Sequence, residues 1–509
     1  MAAVRKLWSV VAACAIVALP LAAQDLASFE KKTTVKRLSN GLTVIIMERH
    51  EAPVFSYATV VNAGSAQEVA GITGLAHMFE HMAFKGTEKI GTTDYPAEKA
   101  ALARVEDAYA AYDRERSKPV GRDEARVAQM EKGWKDAVAE AQKYVVPNQF
   151  SKIVDEAGGV GMNAFTAEDE TVYFYSLPSN RFELWAYLES ERFLHPVFRE
   201  FYKERDVVTE ERRMRSESTP FGRLLIEFIP AAFTAHPYGV PGIGWKSDLA
   251  SFSETDAEAF FRKNYVPSNL VVAIVGDVNP AEAMPVVEKY FGRLASAPLP
   301  PPLRTVEPEQ HAERTVVLRE TSQPIYVEGY HRPDVNSRDN AVYEVISDLM
   351  SKGRTSRLYK SLVRDKKIAA ASAGLNGFPG QKYPNLFIVF AVSTPGHTNG
   401  EIAGAIHSEI DRLKNDDVEA DELASVKTRA KADLLRRLQA NSGLALQLAI
   451  TQTIQGDWRE LFRDMNRIDS VTAADIRRVA NATFVATNRT VAEIESTKAV
   501  PAAAKGDMK

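Results

Sequence analysis

Hydrophobic positions near the start of the chain fall in two short runs, Thr34–Leu38 and Leu42–Glu48, which are rich in β-forming residues and flank Ser39-Asn40-Gly41. Asn-Gly between two such runs is the strongest short-range signal for a β-hairpin. Val54–Val61 predicts a further strand. Apolar residues then recur at helical spacing through Gly71–Lys85, so the chain is expected to pass from strands into a helix.

A pair of longer helices is predicted over residues 96–144, where two apolar stripes recur at helical spacing. Pro119 and Gly121 lie between the stripes and predict the turn of an αα-hairpin. The stripes consist of Leu102, Val105, Tyr109 and Tyr112, then Val127, Met130, Trp134, Val138 and Ala141.

Strand and helix patterns alternate through the remainder of the first half. Gly159–Ser176 is strand-like, Arg181–Phe193 and Tyr202–Ser216 are helical, Asn269–Val278 has the pattern of a buried strand, and Pro280–Phe291 that of a helix. Residues 295–309 follow and are rich in proline, which is typical of a stiff, extended linker. This linker is predicted to separate two domains, residues 32–294 and 310–497.

The pattern restarts after the linker. Strands are predicted at Arg314–Glu320, Ile325–His331 and Leu386–Ser393, helices at Arg338–Met350 and Arg354–Arg364, and long helical segments over residues 399–458.

A similar stretch ends each half of the chain, and in each half it follows a helix opened by a threonine. The two stretches are Tyr265-Val-Pro-Ser-Asn-Leu-Val-Val-Ala273 and Phe484-Val-Ala-Thr-Asn-Arg-Thr-Val-Ala492. Their equivalent positions indicate a duplicated unit. We therefore expect an α+β fold of two similar domains, each a mainly antiparallel sheet packed with helices.

Composition is that of an ordinary globular protein, with 45% hydrophobic and 26% charged residues. The 509 residues are too many for one hydrophobic core, which agrees with two domains. A formal net charge of −4 leaves no basic excess, so no nucleic-acid partner is expected.

The first residues predict a secretory signal peptide, residues 1–23, with cleavage near Ala23 and a periplasmic or secreted product. Arg5 and Lys6 precede an apolar run, Leu7–Leu21, and small residues follow it. A membrane anchor is the alternative, although the run is shorter than a typical span. A lipoprotein signal at Cys14 is disfavoured because the apolar run continues past that residue.

Cys14 is the only cysteine of the chain and lies inside the predicted signal peptide. The mature protein is therefore expected to lack disulfides and thiolate ligands, so that any metal site must use His, Asp or Glu. At the other end, residues 498–509 are small and polar and predict a disordered tail.

His77 and His81 are candidate metal ligands, because residues four apart on a helix project from one face. Two imidazoles at this spacing can share one Zn²⁺, and Glu80 borders the same face, where it can reach a metal-bound water. The order is HxxEH, the reverse of HExxH. A pair of surface histidines is the alternative. It is disfavoured by the apolar neighbours Leu75, Ala76, Phe79 and Met82.

A catalytic zinc site requires a third protein ligand. Glu204 and Glu211 are seven residues apart on a predicted helix and share a face, whereas Glu210 lies on another. His195 and His236 each precede a proline and are typical of turns. From spacing alone, the solvated face of a highly charged helix explains the two glutamates more readily than ligation does. The third ligand is open at this point.

Five motifs, in order, resemble the pitrilysin-type (M16) zinc peptidases, and the resemblance covers about residues 32–497. The two-chain bacterial branch of that family, with short subunits, fits the length best. The motifs are Leu38-Ser-Asn-Gly-Leu-Thr-Val44, Gly74-Leu-Ala-His-Met-Phe-Glu-His-Met-Ala-Phe-Lys-Gly-Thr87, Asn163-Ala-Phe-Thr166, Glu204-Arg-Asp-Val-Val-Thr-Glu-Glu211 and Val275-Gly-Asp-Val278.

The resemblance implies Glu211 as the third ligand of one Zn²⁺ per chain and Glu204 as a supporting glutamate of the catalytic site. It implies that Asn163, Ala164 and Phe165 pair with the backbone of a peptide substrate by strand addition. The implied activity is endopeptidase cleavage of unfolded peptides or small proteins. In that reaction a zinc-bound water attacks the scissile carbonyl, and Glu80 acts as general base.

Two departures from the family pattern carry further expectations. His81 and Glu211 are unusually far apart, which the 96–144 hairpin explains; that hairpin could form a wall of the substrate chamber or a partner contact. Active members also carry an Arg…Tyr pair in the second domain. Here Arg364 is kept as a candidate substrate-binding residue, but alanine stands at 370 and 371. We therefore expect a second M16-like subunit that supplies the pair, with a homodimer as the alternative.

Two other functional classes compete with a peptidase. A non-catalytic M16-type scaffold subunit is disfavoured because such subunits usually lose the zinc motif, which is complete here. A metal-dependent hydrolase of non-peptide substrates is disfavoured by the strand-pairing segment Asn163–Thr166.

Overall fold

The computed structural model describes residues 26–497. The predicted signal peptide and the predicted disordered tail lie outside the described residues. Among the helices of residues 26–497, none combines the length and the apolar character needed to cross a bilayer.

A six-stranded sheet forms the centre of the first half, in the order β1-β2-β6-β3-β5-β4. Only the β2–β6 pair is parallel. The predicted hairpin is confirmed, and its turn contains Gly41 at φ +98°, a backbone conformation that favours glycine. The strands are β1 (Thr33–Arg37), β2 (Thr43–Glu48), β3 (Val54–Val61), β4 (Val160–Thr166), β5 (Thr171–Pro178) and β6 (Leu270–Gly276).

Eleven helices accompany this sheet within the described residues, and the predicted αα-hairpin is confirmed as α3 and α4. A π-helical turn, Arg213–Glu217, continues α7. The helices are α1 (Leu26–Lys31), α2 (Leu75–Met82), α3 (Tyr95–Arg116), α4 (Glu124–Ala141), α5 (Gln149–Glu156), α6 (Phe182–Leu194), α7 (Phe201–Arg212), α8 (Pro220–Ala232), α9 (Lys246–Leu249), α10 (Glu254–Asn264) and α11 (Pro280–Phe291).

The second half contains a five-stranded sheet in the order β7-β11-β8-β10-β9, in which only β7–β11 is parallel. Its strands are β7 (Arg314–Glu320), β8 (Ile325–Arg332), β9 (Ala369–Phe378), β10 (Asn385–Ser393) and β11 (Arg489–Ser496). Its helices are α12 (Asn340–Ser351), α13 (Asn399–Asn415), α14 (Ala420–Gln439), α15 (Asn441–Gln455), α16 (Glu460–Ser470) and α17 (Ala473–Thr483), with a π-helical segment at Tyr359–Asp365.

The two sheets share one topology. Without β1, the order β2-β6-β3-β5-β4 matches β7-β11-β8-β10-β9 strand for strand, including the single parallel pair. The two similar sequence stretches end in β6 and β11, which hold equivalent places. The predicted α+β fold of two similar units is thereby confirmed. Residues 295–309 contain neither helix nor strand, while the domain boundaries stay a prediction.

Several elements differ from the sequence prediction. Gly159–Ser176 is a hairpin of two strands, because a tight turn closes where the Ala167 amide donates to the Glu170 carbonyl. The helix predicted within Gly71–Lys85 is only α2, which starts after Gly74. In place of the helix predicted over Arg354–Arg364 there is the π-helical segment. Helices α5 and α8 and strand β9 were not predicted.

The outer face of the first sheet is covered by the second half of the chain. Leu444, Leu448 and Ala449 of α15 share a buried cluster with Ile45 and Ala273 of the sheet. The opposite face packs against helices of the first half, among them α2 and α6. The edge strand β4 lies next to α2, and the sheet to which it belongs is packed on both faces.

Candidate metal centre

Helix α2 is held at its N-terminus by a buried carboxylate. Glu68 accepts hydrogen bonds from the amides of Gly74, at 2.8 Å, and Ala76, at 2.6 Å, which would otherwise lack partners at a helix start. Gly74 has φ +93°, and a Cβ there would lie 2.7 Å from the Ile243 carbonyl oxygen, so glycine is required. Leu75 and Met78 are fully buried and set the rotation of the helix.

Helix α7 lies against α2 and contributes both glutamates. Phe201, Tyr202 and Val208 are buried and anchor one side of α7. Glu204 and Glu211 share the side that faces α2, as the seven-residue spacing requires. The solvated-face interpretation of these two residues is therefore wrong, because both side chains contact histidines of α2.

Three donor atoms converge between the two helices. Nε2 of His77 and Nε2 of His81 lie 3.7 Å and 3.4 Å from Oε2 of Glu211. Ligand atoms of these three residues all lie within 4.8 Å of one another, and His77 is buried. The tertiary structure thus brings together two histidines that are four residues apart and a glutamate 130 positions after His81.

The chemistry of this donor set fits Zn²⁺, because catalytic zinc sites combine three protein ligands, such as two imidazoles and a carboxylate, with one open position. Burial lowers the pKa of His77 below its ordinary value, which favours the neutral imidazole that a metal requires. Arg215 pairs with the second oxygen of Glu211 at 2.6 Å, so one oxygen of that carboxylate stays directed at the histidines.

Glu80 stands beside the donor set without belonging to it. Its Oε2 lies 3.8 Å from Nε2 of His77. Burial raises the pKa of Glu80 above its ordinary value, and the charge of Glu211 raises it further. A hydrogen bond from the Thr166 hydroxyl and the charges of His81 and Arg215 act in the opposite direction. A carboxylate with a raised pKa at this distance is suited to accept a proton.

Glu204 contacts the other nitrogen of His81, with Oε2 3.3 Å from Nδ1. Its second oxygen pairs with Lys85 at 2.5 Å. Burial acts to raise the pKa of Glu204, but the hydrogen bonds from His81 and Lys85 hold it below its ordinary value. Glu204 is thus an ionised carboxylate that orients an imidazole.

A cleft of about 560 Å³ opens beside His77 and Glu80. Asn163, Ala164 and Phe165 line it along β4, the edge strand of the first sheet. The predicted strand-pairing segment thus lies next to the predicted metal ligands. Arg364, the other candidate substrate-binding residue, does not line this cleft. Its side chain is exposed and pairs with the neighbouring Asp365 at 2.6 Å.

Four residues that contribute to the site were not predicted from the sequence. Glu68 and Arg215 are charged residues in polar surroundings and carry no local signal. Phe221 and Leu225 form a wall of the cleft from α8. Thr219 followed by Pro220 is an N-cap with proline at the first helical position, a signal that could have predicted α8.

The chain matches two models of one known family. The family model described as "Insulinase (Peptidase family M16)" matches residues 43–115, and the one described as "Peptidase M16 inactive domain" matches residues 251–430. The zinc protease PqqE of Helicobacter pylori is 28% identical over 468 residues, covering 89% of this chain and 90% of its own length.

Solved structures repeat the fold over most of this chain. A protease from Helicobacter pylori superposes with a TM-score of 0.75 at 26% identity and covers 91% of this chain and 99% of its own. A structure titled "peptidase M16 inactive domain" from Pseudomonas fluorescens gives a TM-score of 0.72 at 16% identity, covering 92% and 98%. With two sheets of shared topology, both family models in order and relatives matched nearly end to end, the chain belongs to the pitrilysin-type M16 family of peptidases.

Proposed function

We propose that this chain is a zinc-dependent endopeptidase that cleaves unfolded peptides or small proteins. The observation that carries the proposal is the convergence of His77, His81 and Glu211, with Glu80 beside them, next to an open sheet edge. Such an edge can add a peptide as a further strand, which reads main chain more than side chain.

Each residue of the site would have a distinct role in this reaction. His77, His81 and Glu211 would hold Zn²⁺, which supplies Lewis acidity toward a carbonyl oxygen and a water. Glu80 would take the proton from the attacking water and return it to the leaving amine. Strand β4 would hold the substrate backbone extended, and Glu204 would keep His81 in the orientation and tautomer that ligation needs.

Exchange of Glu80 for glutamine tests the proposal. Glu80→Gln should retain one zinc per chain by metal analysis and lose about 10²- to 10⁴-fold in kcat on an unfolded protein substrate. Removal of zinc by a chelator should abolish cleavage, and its return should restore it. A chain whose cleavage survives Glu80→Gln would not use this site.

A non-catalytic M16 subunit is the second candidate, because residues 251–430 match a domain described as inactive. Such a subunit would bind zinc and show no Glu80-dependent cleavage of any peptide, alone or with a partner.

A second M16-like subunit is part of the proposal. Arg364 is turned toward Asp365 instead of the cleft, and alanines 370 and 371 of β9 offer no phenolic hydroxyl. We infer that a partner chain supplies the Arg/Tyr pair, with a homodimer as the alternative assembly. Purified zinc-loaded chain, sized by light scattering, should gain activity when the partner is added; full activity as a monomer would contradict this.

The protein is proposed to act in the periplasm or after secretion, on the basis of the predicted signal peptide. Cell fractionation and N-terminal sequencing should find the mature chain outside the cytoplasm, starting near Gln24. A cytoplasmic chain that keeps its first residues would contradict this.

A further inference from the structure

A carboxylate in the active-site cleft has no role in the fold or in the proposed reaction. Glu168 follows β4 by two positions and lines the cleft together with Glu80 and Arg215. Among residues 26–497, no lysine or arginine forms an ion pair with it. Arg215, the cation on the cleft wall, is already paired with Glu211.

The two acidic neighbours of Glu168 are engaged elsewhere. Asp169 accepts hydrogen bonds from the Tyr238 hydroxyl, at 2.6 Å, and from the amides of Gln381 and Lys382. Glu170 is buried and feels the charge of Lys382. Of three consecutive acidic residues, two therefore face the second half of the chain, and Glu168 alone faces the cleft.

The backbone holds Glu168 in this position. The amide of Ala66 donates to the Glu168 carbonyl at 2.9 Å, and that of Ser65 donates to the Ala167 carbonyl at 3.2 Å. Gly64 leaves room for this contact, because a Cβ there would lie 2.7 Å from the Glu168 carbonyl oxygen. The carboxylate itself packs against Gly242, which also lines the cleft. The hydrogen-bonded backbone thus presents the carboxylate at a defined place in the cleft.

Burial raises the pKa of Glu168 to about 7 and the charge of Asp169 adds to this, while a hydrogen bond from its own backbone amide opposes it; no cation of the described chain offsets the buried charge. A cation brought by a ligand would relieve that cost. The wall beside it is apolar, with Phe221, Leu225 and Ile229 from α8 and Phe378 from the end of β9. An apolar stem that ends in a cationic head complements both surfaces, as in lysine and arginine.

Glu168 lies close to the proposed general base along the chain. Thr166, the last residue of β4, neighbours Glu80, and Glu168 follows two residues later in the turn between β4 and β5. Both glutamates line the same cleft, so a peptide side chain that reaches Glu168 would belong to a residue near the scissile bond.

We propose that Glu168 makes the site selective for peptides that carry lysine or arginine near the scissile bond. This inference rests on the proposed peptidase function and adds a substrate class to it.

A positional scan tests the inference with zinc-loaded protein. Peptides of one sequence carry lysine or its uncharged counterpart norleucine at each position from three before to three after the cleaved bond. At one position kcat/KM should favour lysine by about tenfold or more, as for a hydrogen bond to a charged group. In Glu168→Gln the ratio should fall to near one, and in Glu168→Lys it should favour glutamate.

Glu156→Gln is the matched control, because this glutamate is exposed, ends α5 just before β4 and does not line the cleft. It removes the same charge and should keep the wild-type ratio. The same ratios are measured as binding, by fluorescence anisotropy with zinc-loaded Glu80→Gln, so the outcome does not depend on turnover.

Three results are distinguishable. Loss of the lysine preference in Glu168→Gln alone supports the inference. Cleavage or binding without a lysine preference, or a preference that survives in Glu168→Gln, overturns the inference and leaves the peptidase intact. Absence of both cleavage and peptide binding in the zinc-loaded protein overturns the proposed function and this inference with it.

Discussion

Nδ1 of His81 lies 3.3 Å from Oε2 of Glu204, while Nε2 of the same ring lies 3.4 Å from Oε2 of Glu211. One imidazole thus lies between a carboxylate that orients it and a carboxylate that would share its metal. A proton on Nδ1 would leave Nε2 free as a ligand, so Glu204 would favour the tautomer that the proposed metal needs.

Glu204→Gln should therefore weaken zinc binding by about 10- to 100-fold, because the oriented and more basic imidazole is lost. Competition against a chromophoric chelator measures this. Glu210→Gln is the control: it changes a glutamate of the same helix whose side chain is exposed and paired with Arg213. Equal zinc affinity in the two variants would exclude a role of Glu204 in orienting His81.

Asp248 should stabilise the segment that leads into α2, and this contribution should depend on pH. Its carboxylate accepts hydrogen bonds from Gly71 and Thr73. Burial acts to raise the pKa of Asp248, but these hydrogen bonds hold it below its ordinary value. A lowered folded-state pKa gives stability that is present above the unfolded-state pKa, about 3.9, and is lost as pH falls through the folded value.

Thermal unfolding of Asp248→Asn should therefore show a lower midpoint than wild type at pH 7 and a shrinking deficit below about pH 4. Asp136→Asn, which alters an exposed residue of α4 paired with Lys132 at the surface, should track wild type at both pH values. A deficit for Asp248→Asn that is constant down to pH 2 would show that the carboxylate charge is not involved.

The two halves of the chain pack so closely at Gly380 that only glycine fits there. A Cβ on Gly380 would lie 2.7 Å from Oδ2 of Asp169 and 2.5 Å from Cζ of Tyr238. Gly380→Ala should therefore lower stability by about 1–3 kcal/mol through overpacking, measured by urea denaturation. Gly404→Ala, in α13 with no atom within 4 Å of the new Cβ, should be neutral or stabilising. An unchanged Gly380→Ala midpoint would mean that this contact is loose in solution.

Helix α15 should be needed for the stability of the first sheet, although it belongs to the other half of the chain. Leu448 is fully buried in the cluster that contains Ile45 and Ala273. Leu448→Ala should cost about 2–5 kcal/mol. Leu299→Ala, the same change at an exposed position, should stay within about 0.5 kcal/mol. If both variants unfold together, α15 contributes little to the sheet.

Much of the local structure follows from periodicity, because short-range patterns decide local conformation. The Asn40-Gly41 turn, the helix Pro280–Phe291 and the αα-hairpin agree with their predictions to within a few residues. The exceptions have local causes as well. Gly159–Ser176 hid a turn of acidic residues with no glycine or proline. Helix α2 starts only after Gly74, where the amides of Gly74 and Ala76 donate to Glu68.

For the site, the spacing of His77, Glu80 and His81 was sufficient to indicate metal chemistry. Side chains three and four residues after His77 on a helix lie on or beside its face whatever the rest of the chain does. No such constraint links that turn to Glu211, or Glu168 to the cleft. Only packing decided those contacts: α7 against α2, and the β4–β5 turn against Ser65 and Ala66. Proximity between residues far apart in the chain is a property of the folded core, which the spacing within any one segment does not record.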